Sequence, residues 1–311
     1  MSTLFDHNFD TRVRQATFSW LEQAVAVHGD VLERSTLMDG FVFEGQRVHL
    51  VSPQQGIFKP RMLKIPLSIL TAPPGGPYED KFTSRHLHYR YRGKDVDHPD
   101  NRGLRDAKRF GIPLVYFHGL MKGRYLAVWP VFIVGDDPAG LTFHVAVDDA
   151  AVLATQVAVE DGRGLIGDDM MEGRRLYATT IVKRRIHQRA FRERVLEAYR
   201  RQCSFCRFRH EELLDAAHII PDSEPEGDAS VQNGLSLCRL HHAAFDRHFL
   251  GIRPDGIIQV RQDILEEEDG PTLKHAIQAL HNQSLHRPRS VIFAPSQHRL
   301  EMRYERFLHQ E

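Results

Sequence analysis

Residues 13–28 (VRQATFSWLEQAVAVH) place Phe18, Leu21, Val25 and His28 at helical spacing, and Gly29 follows as a stop, so the pattern predicts an amphipathic helix. The period then shortens. The runs GFVFEG, QRVHLV, IPLSIL, LHYRYRG, IPLVYFHG, YLAVWPVFIVGDDP and LTFHVAVDD are rich in β-branched and aromatic residues and are separated by turn formers, which predicts a series of short strands. TAPPGGPYED reads as a surface loop. Residues 1–150 are therefore expected to form a β-rich domain. Residues 151–175, small and acidic around DGRGLIGDDMMEG, read as a linker. Helical spacing returns with Phe191, Val195 and Tyr199, and beyond it GIRPDGIIQVRQDIL predicts a hairpin and SQHRLEMRYERFLHQ a closing helix, so residues 176–311 form a second domain. The fold class expected is α+β.

Length supports this division, since 311 residues can bury two modest cores. An apolar content of 41% and a charged content of 26% are those of an ordinary globular chain. The first fifteen residues lack an apolar signal core and no run of about 18 apolar residues occurs, so the reading is cytoplasmic, with no membrane partner. The formal net charge is zero, yet the charge is unevenly spread. Arg174 to Arg209 holds twelve Lys or Arg against Glu193 and Glu197, whereas Glu211 to Leu250 holds eight acids and two arginines. A basic segment that can attract phosphate thus abuts an acidic, histidine-rich one that can hold cations.

All three cysteines lie in one 36-residue window. Cys203-x2-Cys206 is followed, after 31 intervening residues, by Cys238-x2-His241. Two such knuckles supply the four ligands of a tetrahedral structural Zn²⁺ site, which assigns Cys203, Cys206, Cys238 and His241 to zinc. His242 then needs another role, because adjacent helical residues point about 100° apart.

Between the knuckles lie LLDAAHIIP with His218 and NGLSLC with Asn233, and the helix carrying His242 follows. These three residues, spaced by 15 and 9 and framed by the knuckles, resemble the HNH nuclease family with its ββα-metal fold. The resemblance implies a phosphodiester hydrolase in which His218 is the general base, Asn233 orients the base and its loop, and His242 holds a catalytic divalent cation, Mg²⁺ or Mn²⁺. Many members carry a second metal ligand immediately before the base, where this chain has Ala217. Asp246, four residues beyond His242 on the helix, and Asp215, on the same strand face as Ala217, are the substitutes, with Asp246 ranked slightly ahead.

The whole chain resembles restriction-type HNH endonucleases that carry an N-terminal recognition domain, and the short-strand pattern is compatible with a modified-base reader of the SRA or PUA-like kind. DNA is the expected partner. Arg184, Arg185, Arg189 and Arg192 on the basic helix are the expected phosphate contacts of the nuclease half. In LHYRYRGKDVDHPDNRG, alternation puts Tyr89 and Tyr91 on one face and Arg90 and Arg92 on the other, followed by a polar loop with His98, Asp100 and Asn101 that could probe a groove or a flipped base. Lys59, Arg61 and Lys64 offer a second backbone contact. A single HNH centre cuts one strand, so a homodimer is a further expectation. The competing readings are a zinc-stabilised DNA-binding regulator without cleavage and an RNA-directed nuclease of similar mechanism.

Overall fold

The computed structural model describes residues 6–73, 81–82, 86–147 and 168–309. The chain divides into two compact units, Met1–Arg189 and Ala190–Glu311. Most of the loop read at TAPPGGPYED lies outside the described residues, as do residues 151–167 of the linker. Residues 168–175, read as linker, are instead the start of a helix that continues across the unit boundary.

In the first unit, helix α1 spans His7–His28, six residues longer at its start than the apolar spacing indicates. The Asp6 side chain accepts from the Phe9 amide and satisfies one of the orphan donors, which lets the helix begin in polar sequence. One turn in, Arg14 and Asp10 form a buried ion pair, with Arg14 only 2% exposed. The guanidinium also donates to the carbonyls of Ile65, Pro66 and Pro113, so a cation that would be costly to bury alone pins α1 to two loop segments distant in sequence.

The sheet runs in the order β4 (Ile57–Phe58), β5 (Ser68–Thr71), β8 (Leu114–Met121), β9 (Arg124–Asp137), β10 (Thr142–Val147), β7 (Leu87–Arg90) and β6 (Lys81–Phe82), with β1 (Val31–Glu33) also paired to β9. All pairings are antiparallel except β5 with β8. Leu21 and Ala24 of α1 pack with Leu32, Leu50, Val115 and Phe117 to form the core. A separate hairpin joins β2 (Phe41–Phe43) to β3 (Gln46–Val48) through Glu44 and Gly45, both at positive φ, as a two-residue hairpin turn demands. Helix α2 (Arg34–Asp39) and helix α3 (Pro99–Arg109) complete the unit.

Helix α3 corrects one expectation. The residues read as a probing loop are its first turn: His98 caps it by accepting from the Asp100 amide, and Pro99 takes the first position. Asn101 is fully buried, accepting from the Arg92 amide and donating to the carbonyls of Arg92 and Asp95. Its amide serves the fold and faces no groove.

The second unit opens on the C-terminal part of helix α4 (Asp168–Ala198). Strands β11 (Leu214–His218) and β12 (Gly234–Cys238) form an antiparallel ribbon, and helix α5 (Arg239–Asp246) starts at Cys238. Phe191, Val195 and Leu196 of α4 pack with Leu214, Ala217, Leu235, Leu237 and Phe245 in one apolar core. Gly234 makes that approach possible, since a Cβ there would meet the Val195 side chain and lie 3.0 Å from the Phe191 ring. The read hairpin is β13 (Leu250–Ile252) with β14 (Ile258–Val260). Short helices α6 (Gln262–Glu266) and α7 (Pro271–Ala276) follow, and the closing helix is α8 (Gln297–Leu308). The order and packing give an α+β chain with a ββα element at its C-terminal side.

Candidate functional site

The knuckle geometry follows from tight backbone turns. The Cys203 amide donates to the Phe208 carbonyl and the Arg207 amide returns to the Cys203 carbonyl, with Arg207 at positive φ, so Cys203 and Cys206 turn toward one side. Ser204 donates from both its amide and its hydroxyl to the Ser236 carbonyl, which ties this turn to β12 two residues before Cys238. The ligand atoms of Cys203, Cys206, Cys238 and His241 lie within 4.8 Å of one another.

His241 is 2% exposed, with Nδ1 3.4 Å from the Cys203 Sγ and 3.2 Å from the Cys238 Sγ. Ligands about 2.0 and 2.3 Å from a common tetrahedral centre stand roughly 3.5 Å apart, so this donor set fits zinc. On the far side of the ring, Nε2 lies 2.7 Å from the Ala276 carbonyl, the partner that leaves Nδ1 free for a metal. Burial opposes charge on His241, but the neighbouring thiols of Cys203 and Cys238 outweigh it and push its pKa up to about 10. The Cys238 thiol is held well below its ordinary value by Cys203 and Cys206, whereas Cys203 is pushed up by the same pairings.

His242, next on α5, points elsewhere. Its Nδ1 lies 3.5 Å from the Asp215 carboxylate and its Nε2 lies 3.4 Å from the Asp246 carboxylate. The three residues read as one cation set therefore make two pairs, one on each ring nitrogen. Asp215 raises the His242 pKa against the opposing effect of burial, and Asp246 adds to the rise. Burial would raise Asp215, but the His242 bond, the Ala216 amide and the Arg192 charge together hold it low.

His218 ends β11, opposite Gly234 on β12. Its imidazole lies flat against the Phe191 ring, with centroids 3.9 Å apart and planes 8° apart. Asn233 is fully buried. Its side chain accepts from the Ile220 amide and donates to the carbonyls of Ile220 and Asp228, and its own carbonyl accepts from the Ile219 amide. It thus closes the loop that leaves the His218 strand.

The basic helix is engaged within the protein more than its composition indicates. Arg185 and Arg189 both pair with Asp30 in the first unit. Arg192 donates to the carbonyls of Glu211 and Leu214, pairs with the fully buried Glu193, and stands 3.9 Å from Asp215. Its guanidinium holds the start of β11, so the cation read as a phosphate contact is engaged within the protein. Arg184 is exposed. In the first unit Tyr89 and Tyr91 are buried while Arg90 and Arg92 are exposed, as alternation predicts. All four line a cavity of about 460 Å³ together with Arg34 and Gln54. Tyr91 donates to Asp136, and Arg92 pairs with Asp100.

Sequence reasoning did not find the Phe191 ring against His218, the Arg192 bonds to the strand carbonyls or the Ala276 carbonyl at His241 Nε2. The helical spacing of Phe191 marked it only as core.

Residues 203–253 match the model of the HNH endonuclease family HNH_2, so the second unit carries an HNH endonuclease domain. No curated protein matches the chain. Among solved structures, the chain is similar to a modification-dependent TagI restriction endonuclease at 16% identity, with a TM-score of 0.31, over 78% of this chain and 82% of that one. It is also similar to the type IV phosphorothioation-dependent restriction endonuclease ScoMcrA at 14% identity, with a TM-score of 0.22, over 81% of this chain and 52% of that one. Among the described residues no helix is long and apolar enough to cross a membrane.

Proposed function

We propose that this chain is a cytoplasmic, metal-dependent DNA endonuclease of restriction or host defence, with the first unit reading DNA and the HNH domain cutting it. The observation that carries the hydrolytic reading is the frame around His218: a histidine at the end of β11, a buried Asn233 clamping the loop behind it, and a carboxylate-flanked His242 one position beyond a zinc-type ligand set.

In this reading zinc is structural, held by Cys203, Cys206, Cys238 and His241, and supplies folding free energy. His242 and Asp215 would hold the hydrolytic Mg²⁺ or Mn²⁺, which would supply charge stabilisation to the phosphate and the departing oxygen. Asp246, on the other ring nitrogen, takes the outer position and orients the imidazole. His218 accepts the proton of the attacking water, and Asn233 keeps its loop in place. In the first unit, the cavity bordered by Tyr89, Arg90, Tyr91 and Arg92 has the size of a small-ligand site, which supports a place for an extruded base with the arginines at the phosphates.

Digestion of matched unmodified, 5-methylcytosine and 5-hydroxymethylcytosine plasmids, with Mg²⁺, Mn²⁺ or EDTA, tests the whole reading. Wild-type protein should nick in the presence of cation and His218→Ala should not, while retaining zinc and DNA binding. Cleavage at the wild-type rate by His218→Ala would remove the base assignment, and binding without cleavage under every cation would favour the regulator.

A further inference from the structure

We propose that Phe191 is a positioning residue for the general base, setting the plane of the His218 imidazole from the neighbouring helix. The proposal rests on the reading of His218 as the base. Its ground is the flat stack of the two rings, 3.9 Å between centroids and 8° between planes.

The terminal torsion of histidine is broad, so an imidazole without lateral contacts librates and can flip, exchanging its two nitrogens. A base must keep one nitrogen on the line to the proton it accepts, and small angular errors cost rate steeply. A ring lying parallel against one face permits sliding but resists tilting. Phe191 can serve as such a wall because it is itself immobilised: it is 2% exposed, belongs to the core of the second unit, and meets the backbone at Gly234, directly across the ribbon from His218. The side chain of the next residue, Arg192, bonds the carbonyl of Leu214 on the same strand, so α4 fixes β11 at one end and the base at the other. His218 itself is half-buried.

A plain core role predicts that shortening Phe191 lowers stability and nothing else. A positioning role predicts an effect that passes through His218. Phe191→Leu and Phe191→Met, which keep most of the apolar volume, are compared with His218→Ala and with the Phe191→Leu/His218→Ala double variant in the full-length, zinc-loaded protein. The first readout is NMR of ¹³C-labelled histidine rings. In wild type the His218 ring protons should lie upfield, shielded by the Phe191 face, with a single sharp tautomer. In both single Phe191 variants that shielding should vanish and the lines broaden. The second readout is the single-turnover nicking rate of supercoiled plasmid with Mn²⁺. Either Phe191 variant should lose about ten-fold or more at unchanged DNA affinity. The double variant should be no slower than His218→Ala alone.

Unchanged His218 resonances and a rate within two-fold of wild type, in a variant that retains zinc, would overturn the proposal. So would a double variant clearly slower than His218→Ala. If His218→Ala itself cuts normally, the base assignment fails and this inference falls with it. If His218→Ala is dead and the Phe191 variants are intact, only the positioning role fails.

Discussion

Replacing His241 and His242 by alanine, one at a time, should produce opposite defects although the residues are neighbours. His241 is buried, with Nδ1 between two sulfurs and Nε2 against the Ala276 carbonyl. Structural zinc contributes on the order of 10–16 kcal/mol to folding, and removing one of four ligands forfeits several kcal/mol of it. That loss is comparable to the whole stability of a domain, about 5–15 kcal/mol, and it also strands the Ala276 carbonyl. His242 is a quarter exposed, and its carboxylate neighbours are more exposed still. Such pairings stabilise by about 0–1 kcal/mol, a shift of a few degrees in Tm. His241→Ala should therefore lose zinc and melt early, whereas His242→Ala should keep zinc and Tm and fail to cut. The assay is metal analysis, thermal melting and plasmid nicking on both variants side by side. A His242→Ala protein depleted of zinc, beside a folded and zinc-loaded His241→Ala protein, would show the two roles to be exchanged.

Asn233→Ala should destabilise the second unit by about 2–4 kcal/mol in urea unfolding, because it leaves the buried amide and carbonyl of Ile220 and the Asp228 carbonyl without their partner; a change below 0.5 kcal/mol would remove the clamp argument. Asp215→Asn should abolish nicking, whereas Asp246→Asn should weaken Mn²⁺ affinity by about 10–100-fold, and the reverse order in a cation titration would move the ligand to Asp246. In the first unit Thr71 donates to the Tyr116 hydroxyl, which lies 2.7 Å from the His118 Nδ1, and burial lowers the His118 pKa to about 4. As pH falls through about 6.5 the unfolded chain takes up this proton and the folded one does not, so stability is full above 6.5 and declines toward pH 4. At about 1.4 kcal/mol per pH unit the loss approaches 3 kcal/mol, and His118→Gln should flatten that part of a stability-against-pH curve.

What could be read from sequence was chemistry with fixed spacing. Zinc needs four ligands in two short turns, so Cys203, Cys206, Cys238 and His241 stood out in one dimension, and the structure brings them together. The spacing of His218, Asn233 and His242 between and beside those turns likewise marked one segment, and residues 203–253 match an HNH endonuclease model. Pairings made by packing were not legible. That Phe191 covers His218 depends on how α4 crosses the ribbon, and a helical apolar stripe does not say which residue meets a ring. Basic composition likewise did not show that Arg185 and Arg189 share Asp30, or that Arg192 is spent on strand carbonyls. Helix α3 was hidden by polar sequence with Gly103 inside it, a glycine whose Cβ would meet Pro66. Its start was nonetheless marked, by Pro99 at the first position behind a capping His98.

The internal pairing of the α4 guanidiniums bears on how binding should respond to salt. Each phosphate neutralised by a free cation releases condensed counterions and adds about 0.9 to the slope of log affinity against log salt. An arginine already paired with Asp30, or bonded to carbonyls, must give up that partner before it can do so, and little net release follows. Of the four arginines expected to meet phosphate, Arg185, Arg189 and Arg192 would then leave little trace in a salt titration. Affinity would depend on shape and on exposed cations such as Arg90 and Arg184, with weak hold on arbitrary DNA and little sliding along it. In the restriction role proposed above this would be a protective property, since dwell time on the wrong DNA would stay short even at low ionic strength.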